Sequence, residues 1–102
     1  MTRATVYRTI AEVRAANKAA GLHFFERGAM RFFDSRIESK LYNGRYFITS
    51  EQDDYLSQRR RYTVRRANDD GRIDMVGDFR AYATIDDARY AARDLALKEV
   101  QS

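Results

Sequence analysis

The chain has 102 residues, which is room for a single domain spanning 1–102 and no second one. Hydrophobic residues make up 44% of it, and 19 basic residues nearly balance 15 acidic ones, so the composition excludes a disordered chain. There is no cysteine, which excludes a disulfide framework, a thiolate nucleophile and a cysteine-based zinc site.

A helix is predicted near the N-terminus, over about 10–20. Thr9 and Glu12 have the spacing of a capping box, in which the hydroxyl and the carboxylate bind free backbone N–H groups of the first turn. Gly21 favours the left-handed conformation that ends many helices. The apolar stripe of this helix consists of Ile10, Val13, Ala16 and Ala20.

The next two signals are a short helix and a hairpin. Apolar residues at three- and four-residue spacing after Gly28 predict a helix over about 29–36. Asn43 and Gly44 then lie between strand-prone residues 41–46, and this dipeptide is typical of two-residue hairpin turns because both turn positions need positive φ. The strand beyond the turn is predicted over 45–50.

The second half of the chain predicts two more strands and a final helix. In chain order the pattern indicates an acidic loop over 51–58, a strand over 60–66, a turn over 68–71 and a strand over 72–76. Alternation along the strand over 60–66 places Tyr62 and Val64 inward and the arginines outward. Thr84 is the predicted N-cap of the last helix. The buried stripe of that helix is expected to consist of Ile85, Ala88, Ala92 and Leu95.

These elements predict an α+β fold of the order α-α-β-β-β-α. A three-stranded antiparallel sheet packs on the N-terminal and the C-terminal helix, and the short helix is an extra element. We expect both long helices on one face of the sheet and water on the other. Phe47 and Ile48 cannot point to the same side of a strand, so one of them should line a minor core under the short helix. The predicted core consists of Ile10, Val13, Met30, Phe33, Phe47, Ile48, Tyr62, Val64, Ile73, Phe79, Ala88, Ala92 and Leu95.

The sequence has no residue pattern typical of a catalytic or metal site. His23 is the only histidine and has no cysteine to pair with, so we interpret it as structural. Acidic pairs at 53–54, 69–70 and 86–87 are explained locally as loop, turn and helix N-terminus. We therefore predict no enzyme, no metal and no cofactor, with a small hydrolase or transferase as the remaining alternative.

Arginine is the most suggestive feature, because it accounts for 16 of the 19 basic residues. Guanidinium groups between aromatic residues on neighbouring strands suit phosphate contacts and base stacking. The predicted nucleic-acid-binding residues are Arg45, Arg59, Arg60, Arg61 and Arg65. The alternative is a solvated sheet face whose arginines pair with Glu51, Asp74 and Asp78, in a chain whose arginine and alanine content reflects GC-rich codons.

The aromatic residues favour a protein partner. The chain has 7 Tyr and 6 Phe residues, more than a core of this size readily holds, and Tyr and Arg are common anchors at protein interfaces. The candidate interface residues, expected to be exposed, are Tyr42, Tyr55, Leu56, Tyr82 and Tyr90.

Four segments resemble an uncharacterised family of small phage and prophage proteins. They are MRFFDSR (residues 30–36), RYFITSE (45–51), RYTVR (61–65) and GDFRAY (77–82). The resemblance extends over most of the chain. It implies a bacterial host and brings no assigned activity.

The function predicted from these features is non-catalytic binding by a phage-type accessory protein that docks on nucleic acid or a nucleoprotein through its arginine-rich strands. The alternative is a protein-directed inhibitor of a host system, of the anti-defence type. No stretch has the length of a signal peptide or a membrane span, so we expect the protein in the cytoplasm of the bacterial host, with no membrane partner.

Overall fold

The structure is a computed structural model that describes residues 7–31, 34–38, 40–53 and 57–101. Its helices are α1 (Ile10–Ala19), α2 (Arg27–Arg31) and α3 (Ile85–Gln101). Its strands are β1 (Arg36–Ile37), β2 (Tyr46–Asp53), β3 (Ser57–Ala67) and β4 (Ile73–Val76), which form an antiparallel sheet in chain order. The strands lie between helices at both ends, so the predicted α+β class is confirmed.

The sheet has four strands in the described residues, and the prediction of three is wrong. β1 is the additional strand, and it pairs antiparallel with Thr49 and Ser50 of β2. The sequence predicts a helix over 29–36, but α2 ends at Arg31 and the chain turns at Asp34, which has φ +48°. A strand of two residues is too short to show the alternation that identifies strands in a sequence.

The turn before β2 has the predicted positive φ values, but its loop has three residues and the prediction of a two-residue loop is wrong. Asn43 and Gly44 have φ +54° and +67°, as a turn of this sequence requires. Tyr42 and Tyr46 exchange backbone hydrogen bonds of 2.8 and 3.0 Å across it. The loop between this pair therefore also contains Arg45.

The prediction of a loop over 51–58 is wrong, because the described residues of this range belong to strands. β2 continues to Asp53 and β3 begins at Ser57, with a shift of pairing register between Gln52 and Asp53. Residues 54–56 lie outside the described part of the chain. Glu51, whose charge suggests a loop, is completely buried in the sheet.

α1 begins and ends as the sequence predicts. The Thr9 hydroxyl accepts a hydrogen bond of 3.2 Å from the backbone N–H of Glu12. The Glu12 carboxylate accepts one from the backbone N–H of Arg8, one residue before the cap. Gly21 has φ +77°, and its N–H donates to the carbonyl of Lys18. Local hydrogen bonds thus define both ends of the helix.

α3 packs on one face of the sheet through a stripe of alanines. Ala88 and Ala92 have no exposed surface, and Ala96 is 8% exposed. Because alanine is small, the helix lies close to the larger side chains of β2 and β3. This core contains Tyr42, Tyr46, Ile48, Val64, Ala88, Ala92 and Ala96, with Tyr62, Val76, Tyr82, Ala91 and Leu95 packed against it.

A second core lies on the opposite face, under α1 and residues 22–25. Phe47 is fully buried there, with its ring centroid 6.3 and 6.2 Å from those of Phe24 and Phe25, and Val13 of α1 belongs to the same cluster. The prediction that the first and last helices share one face and leave the other wet is therefore wrong. The consecutive buried residues 46–48 show why, since a strand covered on both faces does not alternate.

The predicted core residues fall into four groups. Those that are buried are Val13, Phe47, Ile48, Val64, Ala88 and Ala92. Those that are half-buried are Ile10, Met30, Tyr62, Ile73 and Leu95. The prediction for Phe79 is wrong, since it is 37% exposed, and Phe33 lies outside the described residues. Phe47 and Ile48 serve separate cores as predicted, although the second core lies under α1.

Asn17 connects α1 to the turn between β3 and β4. Its buried side chain donates to the carbonyl of Gly71 at 2.9 Å and accepts from the N–H of Phe24 at 3.2 Å. Gly71 has φ +88°, and a Cβ atom added there would lie 2.5 Å from the carbonyl oxygen of Ala16. Glycine is therefore required where α1 meets this turn.

Gly71→Ala is expected to lower the free energy of unfolding by roughly 2–5 kcal/mol, because it combines left-handed strain with a clash against α1. Gly77→Ala is the matched control, since Gly77 has φ +79° but an added Cβ meets no described atom within 4 Å. The control is expected to lose about 1–2 kcal/mol from strain alone. Urea unfolding followed by circular dichroism measures both losses, and equal losses would contradict the close approach of α1.

Candidate functional site

Arg60 and Arg61 of β3, which the sequence predicts to bind nucleic acid, are held by other parts of the protein. Arg61 donates to the backbone carbonyls of Arg80 and Ala81 at 2.7 and 3.0 Å. Arg60 donates to the Asp34 carboxylate at 2.9 Å and to the backbone carbonyl of Ser50 in β2 at 2.8 Å. Each of these guanidinium groups therefore joins β3 to another segment of the chain.

Arg45 lies beneath the turn between β3 and β4, and its side chain is only 4% exposed. It donates to the Asp69 carboxylate at 2.6 Å and to the carbonyl of Ala67 at 3.3 Å, and it lies 3.5 Å from the Glu99 carboxylate. With these partners it offers almost no surface to a phosphate. The side chain of Arg59 lies outside the described residues.

A buried polar cluster joins β2 to β3 on the face of the sheet that carries Phe47. We call it the Glu51 cluster, and it consists of Thr49, Glu51, Thr63 and Arg65. The fully buried Glu51 carboxylate accepts from the Thr49 and Thr63 hydroxyls at 2.5 and 2.7 Å and from Arg65 at 3.2 Å. The Thr63 hydroxyl accepts a hydrogen bond of 2.9 Å from the backbone N–H of Arg80, in the loop over 77–82. The cluster therefore ties β2, β3 and this loop together.

Arg65 is covered by aromatic rings. Its guanidinium carbon lies 5.3 Å from the ring centroid of Phe24 and 5.8 Å from that of Phe79, and its Nε donates to the Thr49 hydroxyl at 3.1 Å. The side chain is 13% exposed, so the expectation of an outward, open position is wrong for Arg65. The ion pair with Glu51 is the part of the alternative interpretation that the structure confirms.

Glu99 of α3 is a second acidic centre. It accepts from the Tyr46 hydroxyl at 2.5 Å and from Arg66 at 2.9 Å. Burial opposes its charged form, but these two hydrogen bonds hold the pKa of the Glu99 carboxyl below its usual value. Burial, together with the bond to Glu99, raises the pKa of the Tyr46 hydroxyl. The charged Glu99 carboxylate therefore stabilises the packing of α3 on β2 and β3.

A polar cavity of about 440 Å³ opens beside Glu99. Its lining residues are Arg45, Arg66, Asn68, Asp69, Asp70, Arg72, Asp74 and Glu99. The three arginines each pair with a carboxylate of the same cavity: Arg45 with Asp69, Arg66 with Glu99 and Arg72 with Asp70. The fourth carboxylate, that of Asp74, accepts a hydrogen bond of 2.7 Å from the Asn68 side chain, so the polar groups of this cavity bind mainly one another.

Tyr90 is the predicted interface residue that the structure leaves exposed, at 74%. The prediction for Tyr42 is wrong, because this side chain is 6% exposed and belongs to the core under α3. Tyr82 is half-buried against the same core. Tyr55 and Leu56 lie outside the described residues.

Tyr90 marks one end of an exposed stripe on α3. Arg93 and Leu97 follow at helical spacing, and Leu97 is 56% exposed. Beside Leu97 a groove of about 360 Å³ separates α3 from the turn before β2. We call it the α3 groove, and its lining residues are Lys40, Leu41, Tyr42, Asn43, Arg93, Ala96 and Leu97.

The two N-terminal helices carry a group of exposed cations that form no ion pair with the described residues. Arg14 and Lys18 of α1 and Arg27 and Arg31 of α2 are exposed, and none of them has a carboxylate at ion-pair distance within the described ranges. Arg14 lies over the ring of Phe25, 5.5 Å from its centroid. Sequence reasoning missed this group because it searched for arginines next to aromatic residues along strands.

Sequence reasoning also missed Leu97, Arg93 and Lys40. A helical signal for the first two exists, since Arg93 and Leu97 continue the stripe of Tyr90 on the side opposite the buried alanines. Lys40 had no such signal, because only the folded chain brings it to α3.

The described residues show no metal or membrane element. They contain no group of three His, Cys, Asp or Glu side chains placed to hold a metal ion. His23 is exposed and lies 2.8 Å from the Glu26 carboxylate. Across the same ranges, each helix is too short or too polar to span a lipid bilayer.

A family model described as "Family of unknown function (DUF7447)" matches residues 9–93, which is most of the chain. The prediction of an uncharacterised family is thereby confirmed. No curated protein and no solved structure matches the chain.

Thr63→Val is expected to lower the free energy of unfolding by about 1–3 kcal/mol, because it removes one hydrogen bond from the buried Glu51 carboxylate and one from a backbone N–H. Thr63→Ser is the matched control, since it keeps the hydroxyl and loses one buried methyl group, and it is expected to cost about 0.8 kcal/mol. Chemical denaturation measures both. A valine variant more stable than the serine variant would show that the hydroxyl contributes nothing to the Glu51 cluster.

Glu99→Gln is expected to change the pH dependence of stability. The folded-state pKa of Glu99 lies below the usual 4.5, so its charge stabilises the fold above that pH and the stabilisation is lost as the pH falls through the lower value. The Tm difference from the wild type should therefore be largest near neutral pH and shrink below about pH 4. Asp94→Asn, which removes an exposed ion pair with Lys98, is the control and should change Tm little. A Tm difference that stays constant down to about pH 3 would contradict the assignment.

Proposed function

We propose that the chain, which belongs to the DUF7447 family, is a non-catalytic binding protein directed at another protein. One contrast carries this proposal. The described arginines of the strands bind carboxylates and carbonyls of the protein itself, whereas Tyr90 and Leu97 are exposed on α3. A strand arginine would have to give up these partners before it could bind a phosphate.

The exposed side chains of α3 are suited to anchor a protein interface. Tyrosine is favoured at interfaces because its large ring buries apolar surface while its hydroxyl stays hydrogen-bonded. Tyr90 and Leu97 lie on one side of a helix whose other side is held to the sheet by buried alanines. The anchors are therefore presented on a rigid support, which limits the entropy lost on binding.

The proposed setting is that of a phage or prophage accessory protein in the cytoplasm of a bacterial host. The resemblance of four segments to phage and prophage proteins supports this setting, and the partner would then be a host protein. A small rigid binder acts by occupying a surface of its target. Inhibition of a host system, of the anti-defence type, is the specific form of the function that we propose.

Nucleic-acid binding is the second candidate, on a surface other than the predicted one. Arg14, Lys18, Arg27 and Arg31 are exposed and have no ion-pair partner in the described part of the chain, and the net charge of the chain is +4. Cations of this kind contact phosphates without sequence preference. In this candidate function, the phosphate-binding surface lies on α1 and α2 instead of on the strand arginines.

Affinity capture from nuclease-treated host lysate at about 0.5 M salt separates the two candidates, because salt at this level screens phosphate contacts. We expect the wild-type protein to retain a host protein and the Tyr90→Ser/Leu97→Ser variant to lose it. Arg14→Ser/Lys18→Ser on α1 is the matched control and should retain the same host protein. Thermal melts establish that both variants are folded.

Capture of no host protein by the folded wild type would contradict the proposal. Binding that requires intact nucleic acid and is lost with Arg14→Ser/Lys18→Ser would support the second candidate instead. Fluorescence anisotropy with labelled DNA and RNA at about 0.05 M salt then measures that binding directly.

A further inference from the structure

The α3 groove has an apolar floor. Tyr42 and Ala96 lie buried at its base, and the exposed side chain of Leu97 forms part of its wall. A cavity of about 150 Å³ is enough to hold a benzene molecule. The α3 groove, at about 360 Å³, is an open depression rather than a closed cavity, and it has room to receive an apolar side chain of a partner.

The rim of the α3 groove is cationic. Lys40 lies over the ring of Tyr42, 5.1 Å from its centroid, and Arg93 lines the groove as well. Among the described residues, neither Lys40 nor Arg93 has a carboxylate at ion-pair distance. Asp94, the acid next to Arg93, is bound to Lys98 at 3.1 Å. Two uncompensated positive charges thus border an apolar floor.

We infer that the occupant of the α3 groove is an acidic, amphipathic segment of the partner protein, an inference that rests on the function proposed above. An apolar side chain of the segment fills the groove beside Leu97, and neighbouring carboxylates pair with Lys40 and Arg93. Tyr90 extends the contact by about two helical turns along α3. Apolar burial holds such a segment in place, while the charge match selects it over neutral and basic segments.

A second copy of the chain fits this surface less well. The chain carries a net charge of +4, and a symmetric contact through the α3 groove would bring the same Lys40 and Arg93 of two copies together. Like charges at an interface disfavour association. The charge pattern therefore favours an acidic partner over self-association.

Fluorescence anisotropy of the purified full chain with three labelled helical peptides of equal length tests the inference. The first peptide has leucines at helical spacing among glutamates, the second has lysine in place of each glutamate, and the third has serine in place of each leucine. We expect only the first to bind the wild type. Lys40→Glu/Arg93→Glu should weaken that binding on the order of tenfold and create binding of the second peptide. Leu97→Ser should also weaken binding of the first peptide.

Arg14→Glu/Lys18→Glu is the matched control, since it reverses two exposed cations on α1 and should keep the wild-type affinity. Failure of the wild type to bind the first peptide, or equal affinity for all three, would overturn the inference. Unchanged binding after charge reversal at Lys40 and Arg93 would overturn it as well. So would a dimer, seen by sedimentation, that Leu97→Ser dissociates.

These outcomes are distinct from a failure of the proposed function. If the wild type retains a host protein through Tyr90 and Leu97 but does not bind the acidic peptide, the protein-directed function stands and the acidic partner is rejected. If it retains no host protein at all, the function itself is rejected.

Discussion

A carboxylate without exposed surface lies in the middle of the sheet, and the surrounding segments supply the partners that its charge needs. Removing a carboxylate from water costs several kcal/mol unless hydrogen bonds and an opposite charge replace the water. For Glu51 these are the hydroxyls of Thr49 and Thr63 and the guanidinium group of Arg65. Arg65 must therefore stay against the sheet, where two phenylalanine rings cover it. Much of the arginine content that suggests an external ligand is used inside the protein.

The Glu51 cluster also determines how β2 pairs with β3. In the observed register Thr49 lies opposite Thr63, and Glu51 lies between the hydroxyls of both strands. A slip of one residue would move Glu51 to the face of the sheet that α3 covers, away from these partners. An uncompensated buried charge costs about 3–5 kcal/mol, so alternative registers are excluded. Because both faces of the central strands pack into cores, the outer side of α3, with Tyr90 and Leu97, is one of the surfaces left for a partner.

The sequence predicted those features whose cause is local. The cap at Thr9, the end of α1 at Gly21 and the positive φ values at Asn43 and Gly44 each depend on residues within four positions, and the sequence predicts each of them correctly. The features that were missed depend on distant residues. Glu51 is an example, because no residue close to it in the chain indicates that the Thr63 hydroxyl will bind it. Its charge alone therefore predicted the start of a loop. The position of α1 on the opposite face from α3 likewise depends on contacts with the turn before β4.

The candidate surface also combines features with local causes and features with distant ones. The spacing of Tyr90 on α3 is readable from the sequence, and its exposure was predicted. Tyr42, which looks equally available in the sequence, is buried because α3 returns from the end of the chain to cover it. Lys40 and Arg93 line the same groove although they are far apart in the chain, so only the folded structure shows that they lie close together.

The contact between Asn17 and Gly71 spans 54 residues, and this separation has a consequence in time. β2, β3 and β4 are consecutive antiparallel neighbours that close short loops, so we expect them to pair early, whereas α1 must close a long loop to reach its partner. Segments that join late over long loops are also those we expect to open first in the native state. Amide protons of α1 should then exchange with solvent sooner than those of the central strands. α3 reaches β2 over a similar separation in the chain, 53 residues from Tyr46 to Glu99, so its amide protons should also exchange sooner than those of the central strands.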